Sequence, residues 1–209
     1  MKNFLAVDTS SEYLTVVAVK DGKITSSYLS DCSMKHSVTL LNEVDRTLER
    51  AGMTLSDCDF FAAAVGAGSF TGIRIGISAI KGFCLAIGKP SLPVTSFDVA
   101  AYNDVGGKGK RLCLVNALHD AYYVCGYEGE NVVYPPAYIT EEEVLALQKE
   151  GYAFVTCSSL PIAEKTEVLK ADPTQGLLNA AVALSEKEKF GELVALYVRK
   201  SSAELNLNV

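Results

Sequence analysis

Apolar positions in the first thirty residues fall into three short clusters, Phe4 to Val7, Tyr13 to Val19 and Ile24 to Leu29. Each is rich in β-branched and aromatic residues, which predicts three strands. Asp21-Gly22 between the second and third is a strong hairpin signal. The period then changes. Leu41, Val44 and Leu48 recur at helical spacing, with Leu40 widening the stripe. Arg46 and Arg50 lie toward the end of that helix, and Gly52 is placed to stop it. Phe60 to Val65 is a continuous apolar run, as in a strand buried on both faces. Gly66 to Gly72 is a glycine loop, and Ile73 to Ile87 a second helix closed by Gly88, with Pro90 beyond. Pro93-Val94-Thr95-Ser96 leads into a short helix near Phe97 to Tyr102.

Gly106-Gly107-Lys108-Gly109-Lys110 has the composition of a linker. It divides the chain into lobes 1–105 and 106–209. Strands restart after it, at Leu112 to Val115, Ala121 to Tyr127 and Val132 to Tyr138. Thr140 with Glu143 forms a capping box that opens a helix to Glu150. Phe154 to Cys157 is a short strand, and Asp172-Pro173 with Gln175 opens a last helix through Leu184. Both halves therefore run three strands, helix, strand, helix. No close repeat accompanies this shared order, which predicts an α/β protein of two similar lobes with mixed sheets.

Composition narrows the function. The net charge of -6 argues against a broad nucleic-acid stripe on this chain, so a nucleic-acid role needs a basic partner. The residues from Met1 to Asp8 lack the pattern of a signal peptide. Apolar stretches are short or interrupted by Gly and Pro, so no transmembrane helix and a cytoplasmic location are expected. The six cysteines, at 32, 58, 84, 113, 125 and 157, are dispersed without a CxxC pair, and reduced, mostly buried thiols are expected. His36 and His119 are isolated, so no metal site is expected.

The segment Gly66-Ala67-Gly68-Ser69-Phe70-Thr71-Gly72-Ile73-Arg74-Ile75-Gly76 carries the most information. It follows a strand and opens a helix, where backbone N–H groups can cradle an anion. Its glycines are spaced GxGxxxG, not GxGxxG, and no acidic residue follows about twenty positions on, unlike a dinucleotide fingerprint. It lacks the Gly-Lys-Ser/Thr of a P-loop and the central serine of a nucleophile elbow. A tight strand-to-helix turn capped by Ser69 or Thr71 is the simpler reading. Gly72 and Gly76 share a helix face, with Ala79 close to it and Phe83 near the next turn. Glycine inside a helix costs about 1 kcal/mol relative to alanine, a cost usually offset by close approach of another backbone. That backbone is either this protein's own sheet or a helix of another chain. Asp8-Thr9-Ser10 sits in the turn after the first strand, an Asx-type turn or a weak phosphate and metal site.

These pieces together, Asp8-Thr9-Ser10, Lys35-His36-Ser37 with Leu40-Leu41, the glycine segment, and Tyr197-Val198-Arg199, resemble the TsaB family, also called YeaZ. The resemblance covers nearly the whole chain in order and length. It implies the two-lobed fold of actin-like ATPases and sugar kinases. It also implies a non-catalytic relative of TsaD, the subunit that transfers threonylcarbamoyl to adenosine 37 of tRNAs reading codons that begin with A. No catalytic residue and no cofactor is then expected on this chain; ATP and a metal ion serve the partner subunits. The partners implied are a TsaD-like catalytic subunit, a TsaE-like ATPase, a second copy of this chain, and tRNA only through the complex. The implied partner face lies on two helices, 36–50 and 71–87, with His36, Leu40, Leu41, Val44, Leu48, Gly72, Gly76, Ala79 and Phe83 as candidate contacts. Gly66, Gly68, Ser69, Phe70, Thr71 and Arg74 form the family loop, and Asp8, Thr9 and Ser10 the vestigial nucleotide turn. Ala67 departs from a usual proline, Asn116-Ala117-Leu118 from a frequent Asp-Ala-Arg, and the tail after Arg199 is short. The rival reading is an active small-molecule kinase or ATPase on the same fold. It requires an acidic base and a second glycine turn in the second lobe, where Leu112 to Gly126 offers Asn116 and no glycine turn. A metalloprotease would need clustered metal ligands.

Overall fold

The computed structural model describes residues 1–103, 107 and 109–199. Residues 106 and 108 of the expected linker, 106–110, fall outside the described residues, as does the tail beyond Arg199. Among the described residues the strands form two five-stranded mixed sheets. In the first, β1 (Phe4–Asp8), β2 (Leu14–Lys20), β3 (Lys23–Leu29), β4 (Phe60–Ala64) and β5 (Ser91–Val94) are ordered β3-β2-β1-β4-β5. In the second, β6 (Lys110–Asn116), β7 (Ala121–Glu128), β8 (Asn131–Thr140), β9 (Ala153–Thr156) and β10 (Leu169–Lys170) are ordered β10-β9-β6-β7-β8. Each sheet is an antiparallel meander followed by two parallel strands, β1 pairing parallel with β4 and β6 with β9. The order shared by the two halves of the sequence is thus a shared topology.

Asp21 and Gly22 both take positive φ, which matches the twist a two-residue hairpin needs. Along β1 the side chains alternate, Phe4 and Ala6 to one core and Leu5 and Val7 to another. The Leu5 face is covered by α1 (His36–Ala51) and α2 (Phe70–Ile87), through Leu40, Val44, Leu48, Ile73, Ile77 and Ile80. The Phe4 face meets α3 (Ser96–Ala101) and α5 (Pro173–Glu186), whose other side lies against Cys113, Cys125 and Val155 of the second sheet. Leu112, Leu114, Tyr122 and Phe154 form a third core with α4 (Glu141–Gln148). Helices α3 and α5 therefore lie between the sheets. They are exchanged: α3, from the first half, contacts β6, β7 and β9, while α5, from the second half, contacts β5, β2 and β1. This layering is the two-lobed actin-like fold.

Capping follows local chemistry. Ser69 caps α2 by accepting from Gly72 N–H at 3.2 Å, Thr140 and Glu143 form the expected box, and Asp172 accepts from the N–H groups of Thr174 and Gln175. Strand β5 went unseen in the apolar pattern because it is short and contains Pro93. It lies at a sheet edge, where a residue without an N–H is tolerated. The cysteines are unpaired; five are buried and Cys84 is half-buried. Burial raises the thiols of Cys84, Cys113 and Cys125, and those of Cys58 and Cys157 to about 12, so these five are inert packing groups.

One expectation needs correction. Gly72, Gly76 and Gly82 do not interrupt α2, which is long and apolar enough by length and composition to cross a membrane. It docks on the first sheet through Ile73, Ile77 and Ile80, and beside these only Gly72 and Gly76 of the helix are buried.

Candidate functional site: an uncovered helix face beside the interlobe cleft

The glycine loop is built by close approaches between segments far apart in sequence. Ser69 N–H donates to Ser10 O at 2.8 Å, and Ser96 N–H to Gly66 O at 2.6 Å. Thr9 Oγ1 donates to Gly72 O at 2.7 Å. A Cβ on Gly72 would sit far inside contact with the Thr9 carbonyl oxygen, and one on Gly76 would lie 2.5 Å from Thr9 Oγ1. The small-residue face of α2 is therefore pressed on the turn after β1. Of the two origins left open for the missing side chains, this protein's own backbone is the right one, and Gly72 and Gly76 are not partner contacts. The same correction applies to His36, Leu40, Val44 and Leu48. All four are buried, the leucines and valine against the first sheet, and His36 Nε2 lies 2.9 Å from Tyr13 O.

The residues α1 and α2 leave uncovered are different ones. On α1, Leu41 is 54% exposed and Val38 is 73% exposed. On α2, Thr71, Arg74, Ser78, Gly82, Leu85 and Ala86 are exposed, while Ile75, Ala79 and Phe83 are half-buried. Leu85 is 88% exposed, and space beyond Gly82 is open. Ala79 and Phe83 are thus the candidates from the second helix that remain on the open side. The missed residues, Val38 on α1 and Gly82 and Leu85 on α2, follow from knowing which side of each helix the sheet occupies.

Asp8, Thr9 and Ser10 point inward. Asp8 is 0% exposed, with Oδ1 accepting from Ser10 N–H at 2.8 Å and Ser10 Oγ at 2.7 Å, and Oδ2 from Tyr13 OH at 3.2 Å. Ser96 Oγ donates to Ser10 Oγ at 2.9 Å. With every oxygen engaged and no solvent access, the turn has nothing left to offer a phosphate or metal, and the nucleotide role expected of it is withdrawn. Burial pushes the Asp8 carboxyl above its ordinary range, against the hydrogen bonds that favour the anion. The sign follows from proton linkage. Above the unfolded value of 3.8 the native state holds its proton longer than the unfolded chain, so stability falls as pH rises through the folded-state value. Asp8→Asn keeps the acceptor for Ser10 and removes the charge. It is expected to melt higher than wild type at neutral pH, with the gain shrinking toward pH 4. Melting curves across that range check this; a variant that melts lower at pH 7 and equally at pH 4 contradicts it.

The segment after α5 is the part of the site least visible in sequence. Its backbone returns to the first lobe, with Gly191 N–H donating to Ser91 O and Leu196 N–H to Val65 O at 2.7 Å. Leu193 is buried beside Ile73. Tyr197 then stacks on Phe70, with centroids 4.4 Å apart, and accepts from Arg74 Nε at 2.8 Å. Arg199 crosses to the second lobe, where Nη1 donates to Tyr138 OH at 2.9 Å. Phe70, Arg74 and Tyr197 from the motif set thus meet at the start of α2, and Gly66, Gly68 and Ser69 shape the turn beneath them. Thr71 stays exposed outside that cluster.

Between the lobes lies a cleft of about 510 Å³, reached by Ser10, Glu12, His36, Ser69, Asn116, His119 and Ser158. Leu118 and His119 at its rim both take positive φ. A second hollow, of about 650 Å³, lies beside Tyr102, Asn179 and Arg111. Arg111 is buried there and donates to the carbonyls of Ala101 and Gly129, tying the end of α3 to the β7–β8 turn.

The model of the TsaD family, tRNA N6-adenosine threonylcarbamoyltransferase, matches residues 30–202. The tRNA threonylcarbamoyladenosine biosynthesis protein TsaB of Escherichia coli K12 is 34% identical over 92 residues, 44% of this chain and 39% of that protein. TsaB of Bacillus subtilis 168 is 29% identical over 127 residues, 61% of this chain and 56% of that protein. These alignments span about half, or less, of the curated relatives' length. The structure of YeaZ from Pseudomonas aeruginosa superposes with a TM-score of 0.82 at 26% identity, covering 94% of this chain and 100% of that one. A family match over most of the chain, joined to a matching two-lobed fold and the loop built around Gly66 to Gly76, shows that the chain belongs to the TsaD family of glycoprotease-like proteins, in its TsaB/YeaZ branch.

Proposed function

We propose that this chain is a non-catalytic subunit of the machinery that forms threonylcarbamoyladenosine at position 37 of tRNA. It binds a TsaD-like catalytic subunit through the open side of α2 with α1 beside it. The observation that carries this is the apolar helix α2, whose buried side is used up on the first sheet and whose other side leaves Gly82 and Leu85 exposed and Ile75 and Ala79 half-buried at its edge. An apolar helix face of this kind is a docking surface. Small residues at Ser78, Gly82 and Ala86 let a partner helix approach closely, as Gly72 and Gly76 were first expected to do. A second copy of this chain competes for the same face. A TsaE-like ATPase joins the pair, ATP and a metal ion act on the partner subunits, and tRNA is reached through the cytoplasmic complex.

The lack of chemistry on this chain is supported by Asp8, whose oxygens are all spent internally, and by Asn116, which stands where a kinase needs an acid. The isolated chain is expected to show no ATP turnover above a buffer blank. It is expected to bind tRNA weakly, since its net charge of -6 opposes a polyanion and phosphate contacts supply most non-specific affinity. Phosphate-release and filter-binding assays check both; robust turnover lost on Asp8→Ala, or tight salt-sensitive tRNA binding, would overturn the reading. Co-purification with the TsaD-like subunit of the same organism tests the partner itself.

A further inference from the structure

The hollow beside Tyr102 is walled by both lobes and shares no lining residue with the cleft. One wall is a face of α5, where Gln175, Leu178, Asn179, Val182, Ala183 and Glu186 recur at helical spacing. The end of α3, the start of β6 and the β7–β8 turn form the others, and Ile24 of β3 adds to the apolar lining. On the α5 wall Gln175 Nε2 donates to Asn179 Oδ1 at 2.7 Å and Asn179 Nδ2 to Tyr102 O at 2.8 Å, which holds that wall in place. The one buried charge is Arg111, 5% exposed. Its Nη1 donates to the carbonyls of Ala101 and Asn103, and its Nη2 to that of Gly129. All three acceptor residues line the hollow together with Arg111, so the guanidinium is part of its wall. Those carbonyls accept hydrogens but bring no counter-charge. Among the described residues no carboxylate pairs with Arg111, and its Nε–H has no acceptor. Glu130, the nearest acid in the lining by sequence, is paired with Lys187. A buried cation without a counter-charge is costly, and a buried donor without a partner adds to that cost. A hollow of about 650 Å³ with an apolar helix face and one fixed charge has the make-up of a small-molecule site.

We propose that this hollow binds a small carboxylic acid with an apolar body, the carboxylate supplying the counter-charge to Arg111 and the body lying along Leu178, Val182 and Ala183. The charge sets the selectivity. A neutral analogue of the same shape leaves the guanidinium unpaired, and an amine is repelled by it. The occupant touches α3 from the first half of the chain and α5 and β6 from the second, so it joins the two lobes on a side that the cleft does not reach. The site is separate from the open side of α2 and holds whether or not that face takes a partner.

Titration of the full chain with octanoate, octanol and octylamine, followed by calorimetry and by NMR of the nitrogen-bound protons, tests it. Octanoate is expected to bind with a Kd of about 0.1–1 mM, ordinary for a ligand of its size, and to shift the Arg111 Nε–H resonance together with the amides of Gly129 and Asn179. Octanol and octylamine are expected to bind at least about tenfold more weakly and to leave Nε–H where it was. Ala183 is half-buried on the α5 wall, and Ala183→Glu places a carboxylate in the hollow without touching the Arg111 bonds. That variant is expected to melt as the wild type does and to lose octanoate. Arg111→Gln, read beside its melting curve because it also cuts the ties to α3, is expected to bind octanoate no better than octanol. Asp104→Asn, at a position outside the described residues, is expected to bind octanoate as the wild type does. Equal affinity of the wild type for octanoate and octanol, an unmoved Nε–H, or an Ala183→Glu chain that binds normally would each overturn the proposal. So would octanoate binding gained only in Asp104→Asn, which would make the chain its own source of counter-charge.

Discussion

Gly76→Leu is expected to lower the melting temperature by about 5–10 °C, while Gly82→Leu on the same helix leaves it unchanged or slightly higher. The difference comes from which side of α2 each glycine occupies. At Gly76 the first atom of any side chain already lies 2.5 Å from Thr9 Oγ1, and Val7 stands behind it. A leucine must push the helix off the sheet or displace the turn after β1. Overpacking of this kind costs about 1–3 kcal/mol. The Thr9 hydroxyl that bonds Gly72 O is disturbed as well, and a buried polar group left without a partner costs about 1–3 kcal/mol more. In a chain of this size each kcal/mol is worth about 2–4 °C. At Gly82 nothing lies within 4 Å of an added Cβ. Replacing glycine there relieves up to about 1 kcal/mol of helix penalty. Gly82→Leu instead fills the groove a partner helix needs, so it is expected to fold well and bind poorly. Thermal melting of the two variants separates these effects. Equal losses at both positions would mean that α2 is oriented differently from the present account.

Leu85→Glu is expected to leave melting unchanged and to weaken association with the TsaD-like subunit by at least about 30-fold. Leu85 is 88% exposed and touches little of its own fold. Buried in an interface, such an apolar anchor is the kind of residue whose loss costs about 2 kcal/mol or more, and a carboxylate left unpaired there adds to the cost. Self-association through the same face is expected to fall in parallel, because one surface serves both partners. Gel filtration of the chain alone and titration calorimetry with the catalytic subunit read the two effects separately. A Leu85→Glu chain that binds at wild-type affinity removes α2 from the interface.

The sequence revealed the elements more readily than their orientation. The β-branched and aromatic clusters of β1 to β3, the apolar run of β4, the Thr140–Glu143 box and the Asp172-Pro173 cap are local features, and each is legible within a few residues. The spacing of Gly72 and Gly76 was equally plain, and it placed both on one face. Which way that face turns is decided by Thr9, more than sixty residues away, and no local period records it. The stripe on α1 was read as centred on Leu41, Val44 and Leu48. The structure centres it on Leu40, Val44 and Leu48 and rotates Leu41 outward. Asp8-Thr9-Ser10 reads from sequence either as an Asx-type turn or as a weak phosphate and metal site. They are buried because they bond one another and the glycine loop. The stack of Tyr197 on Phe70 joins the two ends of the family motif set, and only the folded chain brings them together.

The central claim is that this chain supports a catalytic partner without doing the chemistry. Its most direct test is formation of threonylcarbamoyladenosine on tRNA by the TsaD-like and TsaE-like subunits of the same organism, supplied with ATP and an activated threonylcarbamoyl donor, with and without this chain. Product is expected only when the chain is added, is expected to be lost with Leu85→Glu, and is expected to persist with Asp8→Asn. Product made by this chain alone, or made equally well in its absence, would contradict the account.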